Sequence, residues 1–391
     1  MTLNPTRPLA ALIALMWLGG CATAPPEAPA PKPPAETSTS APAEASQATT
    51  TGAPALPERL TRVMLASCND QDKPQDFWGQ LQSEQPDLFI YGGDNVYGDI
   101  RKKPDGTIEF LDGDMERLAE TYQTLGASPE FQEFRANIPI LPIWDDHDYG
   151  KNDAGADFPF KKEAEALFLD FWEVPADDAR RQREGLYRAW MFGEAGERVQ
   201  IILLDTRTFR GPLKETPRRN APGMERYVPD PESSATVLGE AQWAWLEAEL
   251  KKPADVRLLV STIQVIADGH GWERWGLLPR ERQRLYDTIV RSRAAGVVIL
   301  SGDRHQGALY RITPEGGYPL YELTSSSLNL SFGGGEEAGP HRIGDMFAPE
   351  NYGLIEFDWA AREIRLRLLD LKGAPVMEQK ISMKDLNFKT P

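Results

Sequence analysis

Five short apolar runs in this chain each break off into a dense polar cluster, and this recurrence limits the fold more than any other feature. RVMLA (62–66) gives way to S-C-N-D, and DLFIY (87–91) to G-G-D-N-V-Y-G-D. IPILPIW (138–144) runs into D-D-H-D-Y-G, VQIILLD (199–205) ends at an aspartate, and GVVILS (296–301) leads into G-D-R-H. Runs of this length read as buried strands, and the spacing predicts helices over 76–83, 115–125, 161–172 and 240–250 between them. A further run at 256–265 and two alternating stretches, 352–359 and 363–369, complete the pattern. The fold class is therefore α/β, with a sheet largely parallel in its first half and antiparallel strands added at the end. In such sheets ligands sit beyond the carboxyl ends of the strands, so the five clusters should converge.

Carboxylates, histidines, a tyrosine and a thiol brought to one place repel one another or lose solvation unless a cation lies among them. Cys68 is one of only two cysteines in the chain and closes the first strand. It is read as a metal thiolate, against the plainer reading of a small packing residue. The formal charge of −16 argues against general nucleic-acid binding, which needs Lys and Arg to displace counterions, and suits a protein that binds cations. A hydrophobic content of 41% supports a substantial core.

The first residues predict an address. Arg7 precedes a short apolar stretch, 9–18, which ends in L-G-G-C and resembles a bacterial lipobox with Cys21 as the acylated residue. Ala22 follows where an aspartate would retain the protein in the inner membrane, so an outer-membrane anchor facing the periplasm is expected. Residues 21–57 are rich in Pro, Ala, Ser and Thr, with no large apolar residue before Leu56. They read as a tether. The organisation is thus a signal peptide over 1–20, a linker over 21–57 and a catalytic domain over 58–391, expected to be a monomer.

The motifs carry a resemblance. Gly93 to Tyr97 has the form G-D-x-x-Y, Trp144 to Asp148 the form W-D-D-H-[DE], and Gly302 to His305 the form G-D-x-H. With Ala66-Ser67-Cys68, Asp205-Thr206-Arg207 and Glu322 to Ser327, the chain resembles the PhoD-like alkaline phosphatase and phosphodiesterase branch of the calcineurin-like metallophosphoesterases. That resemblance implies mixed sheets in a sandwich flanked by helices, with metals at the carboxyl ends of the strands. It implies a dinuclear centre in which Asp94 bridges, Cys68 and Tyr97 hold one ion, and Asp146 holds the other, with Asp303 and His305 completing the shell. Phenolate and thiolate on one ion point to ferric iron, and an all-oxygen second site to calcium, with zinc, manganese and magnesium as competitors. The same resemblance implies attack on phosphorus by a metal-activated hydroxide, with His147 at the leaving oxygen and Arg207 and Asn152 as phosphate contacts.

Other residues receive plainer readings. Tyr97 could be a core tyrosine, and Asp145 and Asp148 a helix cap or support for His147. His270 and His341 are expected on the surface or in loops. Trp272 and Trp275 are expected in the core, with the rim of the site as an alternative. Residues 333–335 read as a mobile loop because Glu336 and Glu337 follow. The wider superfamily has a further ligand histidine after a central strand, and Gln264 is the candidate for its place. Two other classes stay open. A serine hydrolase would have to use Ser325 to Ser327 with His305, as G-x-S-x-G is missing; the other is a non-catalytic envelope lipoprotein.

Overall fold

The computed structural model describes residues 54–103, 105–333, 337 and 339–389; Cys21, the leader and most of the linker lie outside them. In chain order the strands are β1 (Arg62–Ala66), β2 (Leu88–Gly92), β3 (Ile100–Lys102), β4 (Ile108–Phe110), β5 (Ile140–Ile143), β6 (Arg188–Phe192) and β7 (Val199–Leu203). They continue with β8 (Val256–Val260), β9 (Val297–Ser301), β10 (Gly307–Ile312), β11 (Leu320–Ser325), β12 (Arg342–Phe347), β13 (Asn351–Asp358), β14 (Glu363–Asp370) and β15 (Pro375–Ser382). The helices are α1 (Trp78–Ser83), α2 (Met115–Ala127), α3 (Pro129–Asn137), α4 (Asp146–Tyr149), α5 (Lys161–Phe171), α6 (Gly239–Leu250) and α7 (Pro279–Arg291).

Two sheets carry the fold. The first has the order β15-β14-β13-β1-β2-β5, and the second β12-β10-β11-β9-β8-β7-β6, with β3 and β4 as a separate hairpin. Strands β1, β2 and β5 pair in parallel, as do β7, β8, β9 and β11. β13 pairs antiparallel with β1 and is followed by β14 and β15, each antiparallel to the strand before it, while β10 pairs antiparallel with both β11 and β12. The parallel strands are buried along nearly their whole length, which is why their sequences are near-continuous apolar runs. β14 instead alternates half-buried and buried residues, the mark of a strand with one face inward.

The sheets pack face to face as a sandwich, with β11 against β13 and β14. Helices α1 and α3 cover the first sheet through an aromatic cluster in which Trp78 meets Phe89, Tyr91, Phe131 and Phe134. Helix starts follow local chemistry: Asp114 accepts from Arg117 N at 3.0 Å to cap α2, and Ser128 accepts from Phe131 N at 3.3 Å ahead of Pro129 to cap α3. The run expected as one strand over 256–265 stops at Val260. There the chain turns so that Val265 N and Ile266 N donate to the buried Glu322 carboxylate at 2.8 and 2.6 Å.

Candidate metal centre

The loops leaving β1, β2, β5 and β9 meet where the two sheets come together. Gly302 permits the approach, since a Cβ there would lie 2.5 Å from Ser67 Oγ and 2.9 Å from Gly92 O. Gly93 has φ +105°, and a Cβ on it would fall 2.7 Å from that of Asp145. Cys68, Asp94, Asp303 and His305 all adopt the left-handed backbone that L residues avoid, with φ of 61°, 47°, 63° and 54°. Such conformations cost about 1–3 kcal/mol each and persist where the surroundings enforce them. The chain is turned sharply at each strand end so that these side chains point to one place.

One group forms around Asp94 Oδ2. Cys68 Sγ donates to it at 3.4 Å and Tyr97 OH at 3.3 Å, while Tyr97 OH also lies 3.4 Å from His305 Nε2. His305 Nδ1 donates to Leu330 O at 2.6 Å, because a carbonyl can only accept, and this leaves Nε2 as a bare acceptor facing the group. Burial holds His305 far below its usual value, at about 3, so the imidazole is neutral. Burial pushes the Cys68 thiol well up and Asp94 adds to the shift; Tyr97 is raised in the same way by burial and then by Cys68 and Asp94. Ser326 Oγ, 3.1 Å from Cys68 Sγ, accepts from His305 N at 2.7 Å and so has its own proton free for the sulfur.

A second group is made of oxygens. Asp94, Asp145, Asp146 and Asp303 bring ligand atoms within 4.8 Å of one another. Burial raises Asp94 and Asp303 well above the carboxylate range, and neighbouring aspartates contribute. Burial acts the same way on Asp146, but His147 and Arg207 outweigh it and hold Asp146 low. His147 stands beside this group with its ring 4.2 Å from that of Tyr97. Its Nδ1 meets Asp99 Oδ1 at 2.5 Å, so Nε2 is turned away from Asp99. Burial lowers the affinity of His147 for a proton, yet Asp99, Asp146 and Asp94 outweigh it and favour the imidazolium.

Some expected residues lie elsewhere. Arg207 is fully buried, and its guanidinium is held by Asp145 and Glu273, with Asp146 at 3.8 Å; it braces the site from behind and does not line the cleft. Arg226 and Arg304 line the cleft instead, together with Asn152. Gln264 does not replace the absent histidine. Its amide donates to Tyr310 OH at 3.2 Å and Thr324 Oγ1 at 3.0 Å and accepts from His270 Nε2 at 3.0 Å, which occupies both ends of the side chain. His270 is accordingly buried and not a surface residue, whereas His341 is half-buried on a turn. Trp275 belongs to the core and Trp272 lines the cleft. Residues 334–336 lie outside the described residues.

The sequence reading missed Asp99 and understated Asp148. Asp99 stands five residues after Asp94 in the quoted G-G-D-N-V-Y-G-D, and that carboxylate was the available signal. Asp148 accepts from Asp145 N and Asn95 N at 3.0 Å, Val96 N at 3.2 Å and Tyr122 OH at 3.2 Å, binding the second and third motif loops to each other. Ser325, Ser326 and Ser327 are buried, and the His305 imidazole bonds to a carbonyl and not to a serine, so the Ser–His pair of a hydrolase is not formed.

Whether these residues suit metal ions can be judged from their unmet bonding. Asp94 Oδ1, Asp145 Oδ2 and Asp146 Oδ1 are buried and lack a hydrogen-bond partner, a costly state for carboxylates that a cation relieves. A neighbouring cluster of Asp146, Asp153 and Glu273 makes the contrast, because Arg207, Arg210 and Arg226 already neutralise it. Thiolate, phenolate, imidazole and carboxylate in one place, and carboxylates alone in the next, form a donor set fit for two ions of different character.

Curated protein sequences give no match. Among solved structures, PhoD shares 17% identity at a TM-score of 0.61, with 84% of this chain and 70% of that one covered. GAP50, described as the anchor in the inner membrane complex of Plasmodium, shares 13% at 0.51 and covers 84% of this chain and 90% of its own. Purple acid phosphatase PPD1 from yellow lupin (Lupinus luteus) seeds shares 12% at 0.52, over 84% of this chain and 55% of that one. At these identities the likeness is one of fold, the metallophosphoesterase sandwich. The PhoD-like phosphatase family model matches residues 63–352, most of the chain. The chain therefore belongs to the PhoD-like phosphatases, metal-dependent hydrolases of phosphoric esters.

Proposed function

We propose that this protein hydrolyses phosphate mono- or diesters in the bacterial cell envelope, at a centre pairing ferric iron with calcium. The observation that carries the reading is the convergence of Cys68, Tyr97, Asp94 and His305 beside Asp94, Asp146 and Asp303. The first set would hold iron, and the oxygen-only set calcium, with zinc, manganese or magnesium as competitors for that place. When bound, the ions supply positive charge for the phosphate oxygens and make a water acidic enough to attack.

The chain's own residues supply orientation and a proton. Asp99 accepts from His147 Nδ1 and fixes the ring, so that Nε2–H can donate to the leaving oxygen of the ester. Asn152 and the guanidiniums of Arg226 and Arg304 line the same cleft and can contact the phosphate. Residues 1–20 act as a signal peptide, Cys21 carries the lipid, and residues 21–57 tether a monomeric catalytic domain to the outer membrane on its periplasmic side.

The test is turnover of 4-nitrophenyl phosphate and bis(4-nitrophenyl) phosphate by purified protein. Activity should vanish with a chelator and return on adding iron and calcium. Failure of every metal combination to restore hydrolysis of either ester would refute the reading.

A further inference from the structure

The cleft above the site has a volume of about 890 Å³, far more than one phosphate group fills. Among the described residues seven large apolar side chains are exposed, and three of them, Ile108, Phe110 and Phe332, line this one cleft at 55%, 57% and 54% exposure. Ile108 and Phe110 sit on β4 of the β3–β4 hairpin, and Phe332 lies between β11 and β12. The hairpin is tied to the chemistry: Leu111 N donates to Asp99 O at 2.7 Å, and Lys102 on β3 meets Asp70 at 2.7 Å. Phe332 packs against His305 with ring centroids 4.1 Å apart and the planes tilted by 31°. Apolar surface thus runs from the metal group to the mouth, where soluble proteins seldom leave it uncovered without use.

The charges on the walls narrow the choice of ligand. Eight carboxylates line the cleft against four Lys and Arg side chains. Each of those four is engaged: Lys102 by Asp70, Arg226 by Asp153, Arg304 by Glu337, and Lys73 by Asn329 O. No surplus of positive charge remains for a second phosphate, which disfavours polyphosphates and nucleic acids. The Trp272 ring has the Arg226 and Arg304 guanidiniums at 5.2 and 5.7 Å, so it is already served by cations and offers little to a quaternary ammonium group.

We propose that the substrate is a singly phosphorylated ester with a neutral apolar arm, which lies against Ile108, Phe110 and Phe332 while the phosphate sits at the metals. This inference rests on the phosphatase reading and specifies its substrate class.

Alkylphosphonates, which cannot be hydrolysed at the P–C bond, test it as competitive inhibitors of the metal-loaded enzyme, used below their aggregation concentrations. An arm half removed from water should lower Ki by about twofold per CH₂, or about fifteenfold over the four CH₂ groups from butyl- to octylphosphonate. The double variant Ile108→Ser, Phe110→Ser should lose most of that dependence while keeping metal content and the Ki of methylphosphonate within about twofold. A Ki independent of chain length in the unaltered enzyme, or an undiminished dependence in the double variant, overturns the proposal. So does a double variant that keeps the chain-length dependence but no longer binds neutral phosphatidylcholine vesicles, because the hairpin would then be a membrane contact. If the metal-loaded enzyme turns over no ester, the phosphatase reading is what fails. Calorimetric titration with butyl- and octylphosphonate then reads the cleft independently, and equal affinities overturn the proposal.

Discussion

In the proposed reaction Asp99 works at a distance from the phosphate, through the ring of His147, which it holds at Nδ1. Replacing His147 by Asn should retain both metals and lower kcat by about 10²–10⁴, the usual worth of a positioned acid. Asp99→Asn keeps the acid but loosens its hold, so a smaller fall of about 10–10² is expected, with KM and metal content unchanged. Loss of metal in either variant, measured by elemental analysis, would make these residues structural supports of the ions. Cys68 and Tyr97 are tested by colour. Both converge on Asp94 Oδ2, and a ferric ion there would give ligand-to-metal charge transfer in the visible. Cys68→Ser and Tyr97→Phe should each lose iron, visible absorbance and activity together, while a colourless, fully active wild type with a freely titratable thiol would return Cys68 to the core. Cys68, Asp94, Asp146 and Asp303 could be singled out in the sequence because a motif marks each. The burial of Arg207 could not, since sequence gives its charge but not the Asp145 and Glu273 carboxylates that enclose it.

Elements were legible where periodicity was unmixed. The buried strands β1, β2, β7 and β9, of which only Arg62 at the start of β1 is half-buried, fall within a residue or two of the apolar runs. Helices α3 and α7 escaped the reading: α3 buries only Phe131 and Phe134, and α7 hides Leu285, Tyr286 and Ile289 among six charged residues. β10, β11 and β12 were missed because their pattern is set by pairing across the sheet. On α5, Glu165 gives an element-scale prediction. Burial raises its pKa from 4.5 to about 7, and the charges of Asp205 and Glu184 add to this. The folded protein holds this proton where the unfolded chain releases it, so the associated stability is full below pH 4.5 and is lost as pH rises through about 7. Glu165→Gln should therefore melt above wild type at pH 8 and nearly alike at pH 4.5, as read by calorimetry; a gain confined to acid pH would contradict the assignment.

For the whole molecule, the sandwich with one edge rich in candidate ligands could be read from strands that end in polar clusters, while the sheet order could not, because β13, which carries β14 and β15 beyond it, pairs with β1 across nearly the full length of the domain. The address is tested on the intact chain. Cys21→Ser removes the proposed acylation point and should move the protein from the detergent phase to the aqueous phase in Triton X-114 partitioning; unchanged partitioning would rule out the lipobox. The candidate ligand loops come from both sheets: Cys68, Asp94 and Asp146 follow strands of the first, and Asp303 and His305 follow β9 of the second. Tyr97 and His305 face each other across 208 residues of chain. An ion gripped from both sides would close a ring of that size, a cross-link of the kind a disulfide makes, whose chief effect is on the entropy of the unfolded chain. Metal supply would then govern the mechanical joining of the two sheets as well as catalysis, and a starved cell would hold a protein vulnerable to proteolysis at the seam.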